Sequence, residues 1–378
     1  MSSKNPFVPK QRFMMPRRRF VQSAASMGAL GALGAGIAPR PAFAEDVPKP
    51  SEIIVRAWGG IWSESLAEGV SRPFEEATGI AVRHDLTEDN EVQPRIWAAV
   101  AQNRVPPIHV NWDTTTNATK SALRGVCDEL TPDVVPNLEG LLGAAQPSGF
   151  EGFPIVNCYS YVYVLAYREE AFPDGPPQSW DVMLDPQYRG RVAMYNDGIG
   201  FEPVAVIMGG GSMDDIPDNM EPAWEFYRQF REQQPLLGED PDFTNWFQRG
   251  EIDVACTIIS NARSAKQAGI PVSWTVPQEG AKYDTDALWV PLGLPDNEAY
   301  WAKQYVNFAL AGENMETWCS GLGLPPLRPG LEGPDDLVGD PAYPQTEEDF
   351  ARLLNIPTDI LVEHQSDWFA MFRDIMQS

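Results

Sequence analysis

The chain has 378 residues, 43% hydrophobic and 11% aromatic, with 28 Lys/Arg against 53 Asp/Glu. That length suits two domains, and that composition excludes an unfolded polymer. A formal charge of −25 repels phosphate backbones, so no nucleic-acid role is expected.

Residues 1–44 differ from the rest, with seven Lys/Arg and no Asp/Glu. Pro16-Arg17-Arg18-Arg19-Phe20 places paired arginines before a weakly apolar Ala/Gly stretch at 23–38. Ala42-Phe43-Ala44 then supplies an A-x-A cleavage pattern. Together these read as a twin-arginine export signal, with Pro16 where Ser or Thr is usual. The stretch is too short and glycine-rich for a stable membrane span. No Cys follows the cleavage point, so no lipid anchor is indicated. The mature chain is expected to begin near Glu45, free in the periplasm, with a charge of 21 − 53 = −32.

After that signal, Glu52-Ile53-Ile54-Val55-Arg56-Ala57 predicts a buried strand that ends at Trp58-Gly59-Gly60. Trp62, Leu66, Val70 and Phe74 step by four along one helical face. Thr78-Gly79 stops that helix and Ile80-Ala81-Val82 starts a second strand, giving a β-α-β unit and a parallel sheet. A short helix over 92–102 and a strand at Ile108-His109-Val110 follow, with Trp112-Asp113-Thr114 as the loop beyond it. Residues 150–167 carry strand-forming side chains, including Tyr159-Ser160-Tyr161-Val162-Tyr163. Strands are expected at 191–195, 252–256, 272–276 and 287–290, and helices at 222–232, 297–311 and 358–376.

Sequence motifs for chemistry are missing. There is no C-x-x-C, H-E-x-x-H, G-x-S-x-G or phosphate-loop pattern, and His84, His109 and His364 lie far apart in sequence. No catalytic residue, metal or cofactor is therefore assigned, and the chain is read as a non-enzyme. The alternative is an exported periplasmic enzyme with a bound cofactor, since many twin-arginine cargoes carry one.

Four segments in order resemble the spermidine/putrescine-binding proteins and the wider family of periplasmic solute-binding proteins of ABC importers. They are Trp58-Gly59-Gly60 with Arg72-Pro73-Phe74-Glu75-Glu76-Ala77-Thr78-Gly79; Ser179-Trp180-Asp181 through Tyr188-Arg189-Gly190-Arg191; Gly250-Glu251-Ile252-Asp253-Val254-Ala255; and Lys266-Gln267-Ala268-Gly269-Ile270-Pro271 with Pro277-Gln278-Glu279-Gly280. The resemblance implies an α/β, two-lobed type II binding-protein fold, each lobe a mixed, mostly parallel sheet flanked by helices. It implies two crossings, near 153–160 and 255–260. Lobe one would hold 45–154 and 258–325, and lobe two 155–257 with 326–378. Such proteins close by a hinge around a small solute. The implied partners are that solute and an inner-membrane permease, with the protein a monomer.

Carried over by position, Trp58 matches an aromatic ligand contact, Asp197 an acid of the second lobe, and Asp286 the acid after the Pro-x-Glu-Gly turn. Asp113, like Trp58 and Asp197, is placed beyond a strand end, and Trp62, Asp284 and the Gly59-Gly60 turn join them as candidate ligand contacts. Such residues suit a cationic amine: aromatic faces attract the cation, and carboxylates accept its N–H groups. The chain departs from the polyamine binders at Asp284 and Ile258, where Trp is usual, and at Gly200, where an acid is common. A contrary reading stays open. Gly59-Gly60 opens a helix, and Asn261 and Arg263 follow a strand, a pattern that suits a carboxylate or phosphonate. Among Cys127, Cys158, Cys256 and Cys319, the pair Cys158 and Cys256 is expected to come close.

Overall fold

The first three strands run side by side. In the computed structural model, which describes residues 47–378, β1 (Glu52–Arg56) leads into α1 (Ile61–Leu66), a π-helical turn at Ala67–Ser71 and α2 (Arg72–Thr78). The expected signal lies outside the described residues. Leu66, Val70 and Phe74 are fully buried, as their spacing predicts, and Gly79 ends α2 at φ 73°, the left-handed region that favours glycine. Next come β2 (Ala81–Asp85), α3 (Asp89–Ala101), β3 (Val110–Thr114), α4 (Thr115–Leu123) and β4 (Cys127–Asp128). β1 pairs in parallel with β2 and with β3. The third strand begins later than expected, so Trp112, Asp113 and Thr114 belong to β3 and not to a loop.

β5 (Val156–Arg168) is the long strand of the fold. Beyond it lie β6 (Val192–Tyr195), α5 (Glu202–Met208), α6 (Glu221–Glu232), β7 (Leu236–Gly238), α7 (Asp240–Arg249), β8 (Val254–Ile258), α8 (Ile259–Gln267) and β9 (Val272–Thr275). β10 (Tyr283–Pro291), α9 (Asp296–Ala309), α10 (Gly312–Leu322), α11 (Glu347–Phe350) and α12 (Thr358–Gln377) complete it. Strand order is β2-β1-β3-β10-β5-β8-β6-β7. β6 pairs in parallel with β7 and β8, whereas β5 and β10 run antiparallel to their neighbours.

Of three hydrophobic cores among the described residues, the two largest mark two lobes. One gathers Ile53, Val110, Val156, Leu288 and Trp318; the other gathers Val162, Val192, Phe226, Val254 and Tyr283. β5 and β10 each contribute to both cores, so the chain passes between lobes at about 159–162 and 283–287. The second passage therefore lies in β10, not near 255–260. Ile259, Ala262 and Ala265 of α8 and Val272 of β9 are buried in the second-lobe core. Their apolar faces pack there before the chain can return. A third passage runs beside β5, where Leu327 N–H donates to the Cys158 carbonyl. α12 then packs against both α6 of lobe two and α4 of lobe one.

All four cysteines are buried free thiols. Cys158 lies in the lobe-one core, while Cys256 sits opposite Leu165, several positions further along β5. At ~3.3 Å per residue that separation exceeds the ~7 Å a disulfide spans, so the expected approach of Cys158 and Cys256 does not occur.

Candidate functional site

A cavity of about 580 Å³ opens between the lobes where β5 and β10 pass. Lobe one lines it with Trp58, Ile61 and Trp62; lobe two with Tyr195, Asp197, Asp240, Asn261 and Arg263; the passing strands with Tyr159, Tyr161, Tyr163 and Asp286. Of the eight expected contacts, Trp58, Trp62, Asp197 and Asp286 meet here.

Strand pleating places these groups. Tyr159, Tyr161 and Tyr163 alternate along β5 and so share one face. Asp286 pairs with Tyr159 in register, and its carboxylate accepts the Tyr159 hydroxyl and, at 3.4 Å, that of Tyr161. Tyr159 in turn accepts the Trp62 indole N–H at 3.0 Å. The result is a chain of hydrogen bonds from α1 to Asp286. Asp286 is only 7% exposed. Burial pushes its carboxyl up to about 7, against the pull of the Tyr159 hydroxyl, with the charge of Asp89 adding to the rise. Asp197 accepts the Ile199 N–H at 3.0 Å in a local turn, and burial raises its pKa too.

Across the cleft, Asp240 at the start of α7 accepts from the Tyr195 hydroxyl at 2.6 Å and from Asn261 at 2.8 Å. Arg263 is bound in bidentate fashion to Asp336, at 2.8 and 2.9 Å. Among the described residues, the acids Asp197, Glu239, Asp240 and Asp286 thus border the cavity with one cation, Arg263, already neutralised. Trp58 stands edge-on to Trp62 at 4.8 Å, and the Arg56 guanidinium lies over its ring at 4.8 Å.

The remaining expected contacts lie elsewhere. Asp113 is 0% exposed inside lobe one, where it accepts from Gln93 and Asn111. Burial and then neighbouring Asp89 raise its pKa well above the carboxylate range. It sits within β3, opposite Ala287, because β3 starts later than its sequence pattern suggests. Asp284 accepts from buried Lys282 at 2.8 Å and borders an adjoining cavity. Gly59 and Gly60 are exposed and do not line the cleft.

Each departure from the polyamine binders has a structural answer. Asp284 pairs with Tyr161 across the ladder, and Ile258 pairs with Tyr163. Aromatic surface missing from one strand is therefore supplied by its neighbour. At Gly200, φ is 83° and an added Cβ would stand 2.0 Å from the Tyr163 ring. The glycine makes room for that ring. Tyr163, Tyr195 and Asp240 were not singled out in the sequence. The tyrosine alternation in β5 carries a signal for Tyr163; Tyr195 and Asp240 carry none beyond their place at the ends of β6 and β7.

The family of bacterial extracellular solute-binding proteins matches residues 70–345. The chain belongs to that family. A spermidine/putrescine-binding periplasmic protein of Escherichia coli is 22% identical over 271 residues, covering 70% of this chain and 75% of that one. An ABC transporter substrate-binding protein from Bradyrhizobium japonicum superposes with a TM-score of 0.73 at 18% identity, covering 87% of this chain and 100% of the other. A spermidine/putrescine ABC transporter substrate-binding protein from Streptococcus pneumoniae gives 0.69 at 16% identity, over 86% and 100%. These structures share the two-lobed α/β fold of this solute-binding protein, whose cleft occupies the space between the lobes. No helix among its described residues is long and apolar enough to cross a membrane.

Proposed function

We propose that this solute-binding protein captures a small cationic amine in the interlobe cleft and hands it to an inner-membrane ABC permease. One observation carries the reading: Asp286 is buried at the cleft floor and, among the described residues, has only tyrosine hydroxyls as hydrogen-bond donors and no basic side chain to neutralise it. An ammonium is the missing partner. It would donate a charge-assisted hydrogen bond to the Asp286 carboxylate and lie against Tyr161 and Tyr163. Names of the relatives support an amine. The anion reading loses its support, because Arg263 is engaged by Asp336 and Asn261 donates to Asp240. Export by a twin-arginine signal, a periplasmic location and a monomeric state complete the proposal.

Calorimetric titration with putrescine, cadaverine, spermidine and ω-amino acids tests it. At least one amine is expected to bind, and Asp286→Asn to weaken it more than about tenfold, the scale of one charged hydrogen bond. Binding of amine-free carboxylates or phosphonates alone would overturn the reading.

A further inference from the structure

A second cavity, of about 470 Å³, adjoins the cleft. Thr114, Tyr161 and Ile199 line both, so the two chambers meet along one edge. Their chemistry is opposite. The second chamber is walled by Thr116, Asn117 and Lys120 of lobe one, Asn157 of β5, and Gln365 and Ser366 of α12. Its charged lining groups are Lys120 and Asp284. Asp284 is committed to Lys282, which is itself fully buried. Lys120 donates to the Asn117 amide oxygen at 3.2 Å and forms no ion pair among the described residues. α4 begins at this wall with no acidic residue in its first turn, and the Thr114 hydroxyl caps it by accepting the Asn117 N–H at 3.4 Å. Burial holds the Lys120 ammonium below its ordinary pKa, despite the attraction of Asp113.

We infer that the solute is bipolar, an ω-amino carboxylate whose ammonium lies at Asp286 and whose carboxylate lies at Lys120 in the second chamber. The inference rests on the amine reading above. A linear diamine fits poorly, because its second ammonium enters the chamber that holds the unpaired lysine. A carboxylate there completes Lys120 and accepts from the hydroxyl and amide groups around it. Both lobes and α12 supply the lining of the two chambers.

The test is a calorimetric panel on the full protein: putrescine and cadaverine, then γ-aminobutyrate, δ-aminovalerate and ε-aminocaproate, then valerate and hexanoate. One amino acid is expected to bind at least about tenfold tighter than either diamine. Lys120→Gln is expected to lose about tenfold for that amino acid and to leave the diamines unchanged or tighter, with Lys120→Arg restoring part of the loss. Diamines that bind tightest, with no effect of Lys120→Gln, overturn the inference and leave the amine reading standing. Valerate or hexanoate binding as tightly as its amino counterpart overturns the amine reading but keeps the Lys120 seat. Lys120 also borders a third cavity with Glu88 and Asp89. A purely structural role there is exposed by Lys120→Gln lowering the unfolding midpoint with equal losses for all ligands, an outcome that sinks the proposal.

Discussion

Asp286 shows how one residue couples binding to pH. Its ordinary pKa is 3.8, and in the fold it is about 7. Between those values the folded protein holds a proton that the unfolded chain has released. Stability from this group is therefore complete below the ordinary value and falls as pH rises toward 7. Asp286→Asn is expected to raise the unfolding midpoint of the empty protein at about pH 8 and to change it little at about pH 4. Ligand binding runs the other way. An ammonium needs the ionised carboxylate, so amine affinity should rise from about pH 6 to about pH 8. Calorimetry across that range checks both. At Gly200 the constraint is steric. Gly200→Ala is expected to cost about 2 kcal/mol in chemical denaturation, with part recovered when Tyr163→Ala is added.

Among the elements, β10 carries the second passage and with it a buried charge cluster. Lys282 is 0% exposed and pairs with Asp284 at 2.8 Å and Glu202 at 3.4 Å, joining the hinge strand to the start of α5. Burial alone would lower the lysine pKa; the two carboxylates overcome it and hold the pKa above its usual value. Gln365 of α12 donates to Glu202, so the C-terminal helix is tied to the same cluster. Lys282→Met leaves two buried acids without their cation and is expected to destabilise by about 3–5 kcal/mol. Adding Asp284→Asn and Glu202→Gln should recover much of that in urea melts. The pattern of β10 predicts a strand only at 287–290, since Asp284 and Asp286 break its apolar run. Those acids are tolerated because Lys282 and the β5 tyrosines partner them.

For the whole molecule, two lobes joined by β5, β10 and the passage beside Cys158 form a hinged body. Ligand is expected to close it, seen as a smaller radius of gyration in X-ray scattering of the bound protein; an unchanged profile would contradict hinge closure. The charge of −25 also acts at a distance. Association rates for a diamine should fall as ionic strength rises and those for a zwitterionic amino acid should change little, whereas Asp286→Asn should act mainly on dissociation. Stopped-flow fluorescence, with Trp58 and Trp62 as reporters in the cleft, separates the two.

Local patterns in the chain were enough for the β-α-β start, the buried face of Leu66, Val70 and Phe74, and the amphipathic helices at 221–232 and 358–377. These are set by side-chain periodicity over neighbouring residues, which any sequence displays. Trp58 and Asp197 were placed beyond strand ends by pattern and by resemblance, and Asp286 by resemblance alone; all three border the cavity. The return of the chain through β10, the retreat of Asp113 into lobe one and the engagement of Arg263 by Asp336 were decided by packing between segments far apart in sequence. Asp284 and Asp286 stand opposite Tyr161 and Tyr159 on one face of the ladder, so which acid meets a lysine and which meets the cleft was decided by the segments packed around them.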